Sequence, residues 1–268
     1  MSEGWDCHAH VFGPYDRFPL AADRSYTPPE ATELQYVEML SKLGLSHGVL
    51  VHPSAYGEDY TLLFDTLASR SNLRGVIVVR KDTTQNLAGL HGKRVRAARF
   101  SHRSGSGANF AGSASLDDLL SLAPRLAEAG LHAELWTDCI ALPEIADRLR
   151  KLPVPVVIDH MGGFDVNAGI DDPGFRCLLS LVEDGIAWVK LCAYRNLQTA
   201  PDFECGLPFH QALLAANPDV LLWGSDWPHL RVVPEPRSTE LLTIFTRWTD
   251  SDVLSSKILV DNPGRLYG

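Results

Sequence analysis

Short hydrophobic runs rich in β-branched residues alternate with amphipathic stretches along the whole chain. This alternation is typical of parallel βα units and not of hairpins. Eight runs predict strands: Trp5–His10, Gly48–His52, Gly75–Val79, Val95–Phe100, His132–Trp136, Val154–Asp159, Ala187–Leu191 and Val220–Gly224. Because eight parallel strands close a barrel, the pattern predicts a single (β/α)8 barrel domain over residues 1–268.

Helix start and stop signals lie between these strands. Thr32 followed by Gln35 has the spacing of a capping box, and Gly44 is placed to end that helix. Its predicted apolar side consists of Leu34, Val37, Leu40 and Leu43.

Two further helical stretches carry prolines in different places. Asp172 and Pro173 begin one of them and Gly185 closes it. Pro124 lies inside the stretch from Ser115 to Gly130, so we expect that helix to kink or to begin late.

Composition and charge exclude several function classes. The net charge is −9, from 24 Lys+Arg against 33 Asp+Glu, which disfavours binding to nucleic acid or to anionic lipid. No apolar run approaches the roughly 20 residues of a membrane span. The five cysteines are widely spaced without a CxxC pair, and the first residues do not resemble a signal peptide, so we expect reduced thiols in a cytoplasmic protein.

Candidate catalytic residues lie where three predicted strands end. Asp6, His8 and His10 alternate along the first strand, so their side chains are expected on one face. His160 follows the sixth strand and Asp226 follows the eighth. Because the catalytic groups of this fold lie at the carboxyl ends of its strands, the four residues His8, His10, His160 and Asp226 are predicted to converge.

Residues that follow other predicted strands are expected to form the wall of the pocket. Ser54 and Tyr56 follow the second strand and are predicted to line the pocket, while His52 lines it or packs beneath it. The Gly- and Ser-rich stretch from Ser101 to Ser115 is expected at the barrel mouth. His229 is expected to orient the base rather than to react, and His47, His91, His132 and His210 are expected to be surface or packing residues.

The motifs together resemble the amidohydrolase superfamily, in the branch related to 2-pyrone-4,6-dicarboxylate lactonase. The resemblance runs along nearly the whole chain. It is carried by residues 6–14 (DCHAHVFGP), 25–28 (SYTP), 159–162 (DHMG), 222–229 (LWGSDWPH) and 259–267 (LVDNPGRLY).

The resemblance implies hydrolysis of a lactone of a carboxylated small molecule. Asp226 would act as general base for water, while His8, His10 and His160 would polarise the carbonyl or orient that water. Tyr26, Arg99 and Arg195 match carboxylate-binding positions, and the arginines are expected to end the fourth and seventh strands. Gly163 and Trp136 replace an arginine and a tyrosine of the lactonase pattern, which makes the exact substrate an open question.

The sequence allows two hypotheses about a metal cofactor. Most of the superfamily binds a divalent ion, and His8, His10, His160 and Asp226 are suitable zinc ligands. The lactonase branch works without metal, and the fifth strand ends in no histidine, so we expect no metal. The alternative functions are a zinc-dependent decarboxylase or hydrolase acting on a muconate-type acid or another carboxylated ring substrate and, as a different class, a non-catalytic binding protein on the same barrel.

Overall fold

The computed structural model describes residues 3–105, 110–197 and 203–268. Eight parallel strands form one sheet in the order β1 to β8, and the predicted (β/α)8 barrel is confirmed. The strands are β1 (Trp5–Ala9), β2 (His47–Val51), β3 (Leu73–Ile77), β4 (Val95–His102), β5 (His132–Thr137), β6 (Val156–Ile158), β7 (Ala187–Leu191) and β8 (Leu221–Trp223).

The helices lie between these strands and after the last one. They are α1 (Glu33–Lys42), α2 (Thr61–Ser69), α3 (Leu116–Glu128), α4 (Leu142–Leu149), α5 (Pro173–Glu183), α6 (Leu207–Ala216), α7 (Ser238–Thr249), α8 (Asp252–Ser256) and α9 (Asn262–Tyr267). None of the helices in the described parts of the chain is long and apolar enough to cross a membrane.

The barrel closes through the residues that follow β1 and β8. The Asp226 amide donates to the His8 carbonyl at 2.8 Å, and the His10 amide donates to the Trp227 carbonyl at 2.8 Å. The backbone that completes the barrel is therefore also the backbone that carries three of the predicted catalytic side chains.

The prediction that Asp6 shares a face with His8 and His10 is wrong. The Asp6 carboxylate accepts hydrogen bonds from Tyr36 of α1 at 3.2 Å and from the Ser225 hydroxyl at 2.6 Å. His8 instead contacts Lys190 of β7. Simple alternation fails because the pairing of β1 with β2 shifts register between Asp6 and Ala9.

The sequence signals predict the N-terminal caps of α1 and α5 correctly, but they predict the apolar side of α1 only in part. The Thr32 amide donates to Gln35 at 2.7 Å, and Asp172 caps α5 through the Phe175 amide at 2.9 Å, both as predicted. Leu34, however, is 67% exposed, because α1 turns Tyr36 and Leu40 toward the barrel.

The helix that contains Pro124 does not begin late. α3 begins at Leu116 and continues through Pro124, with Ser115 as its N-cap. Its buried side includes Leu119, Leu122 and Leu126. This burial offsets the cost of about 3 kcal/mol for an interior proline.

Candidate active site

A cavity of about 380 Å³ opens at the carboxyl ends of the strands. Its wall includes three of the four predicted catalytic residues, and His8 lies fully buried directly behind them. The cavity-lining members are His10, His160 and Asp226. Segments that follow β1, β2, β4, β6, β7 and β8 all contribute, which is the usual construction of a site on this fold.

Asp226 and the two histidines of β1 meet at one point. The Oδ1 atom of Asp226 lies 3.6 Å from His8 Nε2 and 3.5 Å from His10 Nε2. Asp226 has a positive φ of 56°, a left-handed conformation that aspartate tolerates better than most residues. Neither Asp226 Oδ1 nor His8 Nε2 has a hydrogen-bond partner among the described residues. These atoms are therefore free to bind a small polar group between them.

His160 is brought to the same point by a left-handed turn after β6. His160, Met161, Gly162 and Gly163 all have positive φ, and Asn196 holds the His160 carbonyl at 2.8 Å. The His160 ring lies 4.9 Å from the His8 ring, between centroids. A Cβ atom at Gly163 would lie 3.1 Å from the Thr137 carbonyl oxygen at a φ of 53°, so a larger side chain here would need a small shift of this turn.

The second oxygen of Asp226 is fully engaged. Oδ2 accepts hydrogen bonds from Tyr194 at 2.7 Å and from Arg195. Burial alone would raise the pKa of Asp226, but Arg195 and His160 hold it well below its usual range. Arg195 lies in the turn Ala193–Asn196 and not at the end of β7 as predicted. Asp226 is thus a carboxylate oriented through Oδ2, with Oδ1 facing His8 and His10.

A layer of buried charge lies directly beneath the cavity. Lys190 of β7 donates to Glu134 of β5 at 2.6 Å and contacts His8 Nδ1 at 3.1 Å. Glu134 also accepts from Tyr267 at 2.7 Å, and all four side chains are buried. Sequence reasoning missed this layer, although a lone charge inside an apolar strand, as in His132–Thr137 and Ala187–Leu191, is the signal that could have revealed it.

The protonation states in this layer follow from burial and pairing. Burial and the neighbouring Lys190 lower the pKa of His8 to about 4, so the ring is neutral at neutral pH. Burial would lower the pKa of Lys190, but Asp159 and Glu134 raise it above its ordinary value. Burial also lowers the pKa of His160 well below its ordinary value.

Four arginines face the cavity. Two of them form ion pairs with carboxylates, and the other two stack on aromatic rings. Arg99 donates to Asp159 at 2.8 Å and lies within β4 rather than at its end, while Arg195 is paired with Asp226. Arg103 stacks on Trp136 at 4.7 Å and Arg231 on Tyr26 at 4.5 Å. Neither Arg103 nor Arg231 forms an ion pair within the described parts of the chain. The charges of the two predicted arginines, Arg99 and Arg195, are thus neutralised by carboxylates. Arg103 and Arg231, which were not predicted from the sequence, have no such partner among the described residues.

The remaining predicted pocket residues line the cavity, with the exception of Tyr56. Tyr26 and Ser54 line the cavity, and so does His52, which is also held by the Gly57 carbonyl at 2.9 Å. The prediction for Tyr56 is wrong: its hydroxyl accepts from the Gly13 amide at 2.7 Å and its ring stacks on Phe12, away from the cavity.

Residues around these groups complete the wall. Trp136 lines the cavity, and so do Phe110 and Ser113 from the Ser101–Ser115 stretch, whose residues 106–109 lie outside the described residues. His229 packs edge-on against the Tyr194 ring at 5.5 Å. It therefore supports a residue that orients Asp226 and does not itself face the cavity, as expected.

The residue types near Asp226 suit a divalent ion, but the position of the proton on His8 does not. His8, His10 and Asp226 offer donor atoms within 4.8 Å of one another, as do His8, Asp159 and His160. A metal ligand must present a lone pair, however, and a hydrogen bond from Lys190 to His8 at 3.1 Å places the lone pair of His8 on Nδ1, facing away from Asp226. The group of His8, His10 and Asp226 as arranged therefore does not fit a metal ion.

Comparisons with known proteins agree with this geometry. The amidohydrolase family profile matches residues 5–268. The chain is 34% identical over 275 residues to a 2-pyrone-4,6-dicarboxylate hydrolase of Comamonas testosteroni, covering 98% of this chain and 89% of that protein. It is 36% identical over 280 residues to a 4-sulfomuconolactone hydrolase of Rhizobium radiobacter, with the same coverage of 98% and 89%.

A solved structure extends the likeness to the fold. It is of a proposed 2-pyrone-4,6-dicarboxylic acid hydrolase from Pseudomonas putida, with a TM-score of 0.84 and 32% identity, and the match covers 100% of this chain and 98% of that one. Sequence and fold are therefore similar over essentially the full length of both chains.

Proposed function

This chain belongs to the amidohydrolase family, and we propose that the reaction it catalyses, hydrolysis of a lactone ring, takes a small substrate with two anionic groups and needs no metal ion. The observation that carries the proposal is the convergence of Asp226 Oδ1, His8 Nε2 and His10 Nε2 behind a cavity with excess positive charge.

The three converging atoms form a binding site for the attacking water. His10 Nδ1 donates to the Val51 carbonyl at 2.8 Å, so in the neutral ring His10 Nε2 carries a lone pair and accepts one O–H of the water. Asp226 Oδ1 accepts the other. His8 Nε2, which carries a proton, donates to an oxygen placed between these groups. The site thus matches the donors and acceptors of one water molecule.

Hydrolysis then follows by general base catalysis. Asp226 Oδ1 takes a proton as the water oxygen bonds to the lactone carbonyl carbon, and the carbonyl oxygen becomes an oxyanion. The N–H group of His160 and the Arg195 guanidinium stabilise this oxyanion. The ring C–O bond breaks, and the departing oxygen receives the proton held by Asp226, which restores the carboxylate.

The charge of the cavity indicates an anionic substrate. Among the described residues that line it or lie directly beneath it, five cations (Arg99, Arg103, Lys190, Arg195 and Arg231) face three carboxylates (Glu134, Asp159 and Asp226). The local excess of two positive charges opposes the net charge of −9 of the whole chain. A substrate with two carboxylates, or with a carboxylate and another anionic group, would neutralise that excess.

We also propose a reducing cellular compartment, the cytoplasm, as its location. Cys7, Cys139, Cys177 and Cys192 are free thiols, and three of them are buried. The acidic surface gives no basis for binding nucleic acid or anionic lipid.

A panel of lactones with zero, one and two anionic groups, assayed by acid release, tests the proposal. We expect turnover to rise with the number of anionic groups. Asp226→Asn should retain the fold but lose turnover by at least about 100-fold, because the amide cannot accept the proton of water. Asp165→Asn, on an exposed loop, is the matched control. Near-normal turnover by Asp226→Asn would remove Asp226 from the reaction.

A further inference from the structure

The contact between Lys190 and His8 determines which nitrogen of His8 carries the proton. The Lys190 ammonium is a donor only, with three N–H groups and no lone pair. It lies 3.1 Å from His8 Nδ1, closer than Asp159 Oδ1 at 3.3 Å, and a hydrogen bond between Lys190 and His8 makes Nδ1 the acceptor. In a neutral imidazole the proton is then on the other nitrogen, Nε2, which faces Asp226.

His10, two residues further along the chain, has the opposite arrangement. Its Nδ1 donates to the Val51 carbonyl, so in the neutral ring its Nε2 carries the lone pair. This is the arrangement in which histidine binds a metal, with the distal nitrogen donating to an acceptor. Two histidines that contact the same carboxylate oxygen thus have opposite tautomers, one a donor and one an acceptor.

An acceptor that could reverse the tautomer of His8 is already present. Asp159 Oδ1 lies 3.3 Å from His8 Nδ1 and has no hydrogen-bond partner among the described residues. It is also 3.3 Å from Lys190 Nζ. If Lys190 were absent, His8 Nδ1–H could donate to Asp159, and the lone pair would move to Nε2.

We propose that Lys190 is a positioning residue that holds His8 as the Nε2–H tautomer and thereby prevents a divalent metal ion from binding to His8, His10 and Asp226. Lys190 occupies the centre of the barrel, paired with Glu134 at 2.6 Å and fully buried, so its ammonium cannot move away without leaving a carboxylate unpaired. The donor role of His8 rests on the proposed function, but the exclusion of metal can be measured by binding alone.

The test compares zinc binding by three forms of the full chain. The double variant Lys190→Met/Glu134→Gln removes both members of the buried ion pair with side chains of similar size, so no lone buried charge remains. Glu134→Gln alone keeps Lys190 and is the matched control. Zinc is added to metal-free protein, and bound metal is measured by equilibrium dialysis with elemental analysis.

We expect the double variant to bind one zinc ion per chain at least about 100-fold more tightly than either the wild type or Glu134→Gln, because a lone pair on Nε2 is a condition of ligation. Adding His10→Ala to the double variant should remove this gain. Equally tight zinc binding by the wild type, or no gain in the double variant, would overturn the proposal.

A measurement on the unmodified protein keeps the proposal testable if the double variant fails to fold. ¹⁵N chemical shifts of the histidine rings distinguish a protonated from an unprotonated nitrogen, with His8→Gln used for assignment. We expect a protonated Nε2 on His8 and a protonated Nδ1 on His10. A protonated Nδ1 on His8 would refute the role of Lys190 and the donor role of His8, even if the enzyme hydrolyses lactones. A protonated Nε2 on His8 in an enzyme inactive on all lactones would refute only the proposed function.

Discussion

Arg103 offers a direct test of how the substrate is bound. Its guanidinium stacks on Trp136, its Nε atom is buried without a hydrogen-bond partner among the described residues, and no carboxylate of those residues pairs with it. Replacing Arg103 with Met should therefore leave the free enzyme almost unchanged and act on the bound substrate. Arg99 is less suitable, because its removal would leave the buried Asp159 without this partner.

The size of the effect follows from one lost charged hydrogen bond. Such a bond contributes about 1.5–3 kcal/mol, and each 1.4 kcal/mol is a factor of about ten. We expect Arg103→Met to lower kcat/KM for a dianionic lactone by about 10- to 100-fold, mainly through KM. For the same ring with neutral methyl ester groups, which offer no charge to a guanidinium, the change should be less than about threefold.

The assay measures kcat/KM on both substrates for the wild type, Arg103→Met and a control. Arg265→Met is the control, because Arg265 also stacks on an aromatic ring, Trp188 at 4.7 Å, but lies outside the cavity. Equal losses on the charged and neutral substrates would show that Arg103 acts on structure and not on the anionic group. A loss as large in Arg265→Met would refute the reasoning altogether.

Three further predictions concern the base, the metal and acid stability. Tyr194→Phe removes a donor to Asp226 at 2.7 Å, so the pKa of Asp226 should rise and the acidic limb of the kcat/KM profile should move to higher pH; an unmoved limb would refute this link. Exhaustive chelation, checked by elemental analysis, should leave turnover within about twofold, and activity restored by one equivalent of zinc would contradict the metal-free reaction. Burial lowers the pKa of His52, His210 and His229 to about 4, so stability is full above pH 6.5 and is lost as pH falls toward 4. Protonation of each histidine should lower the free energy of unfolding by on the order of 2 kcal/mol by pH 5. Burial raises the pKa of Asp6 to about 6, so protonation of Asp6 over the same range adds stability and offsets roughly one of these losses. Urea midpoints at pH 7 and pH 5 measure the difference, and equal midpoints would refute it.

The fold and the approximate place of the site could be predicted from the chain alone. Strand periodicity and helix capping are local properties, and all eight predicted strands are present with shifts of no more than two residues. Since parallel strands in a barrel end on one side, knowing that His10, His160 and Asp226 follow three different strands is enough to place them together.

The partners of each charged group could not be predicted in this way. Arg99 and Arg195 looked like substrate binders, and the structure pairs them with Asp159 and Asp226, leaving Arg103 and Arg231 without such a partner among the described residues. Pattern rules also failed where backbone geometry departs from regularity, as for Asp6 beside the register shift in β1.

The tautomer of His8 shows most clearly what tertiary structure decides. Lys190 lies 182 residues from His8 in the chain, and no local pattern relates the two. A hydrogen bond is specified by distance and direction, to within a few tenths of an ångström, and periodicity specifies only which face of a strand a side chain occupies. The amino-acid sequence therefore determined the barrel and the set of reactive groups, whereas packing across the barrel decided which of those groups donate, which accept and which are neutralised.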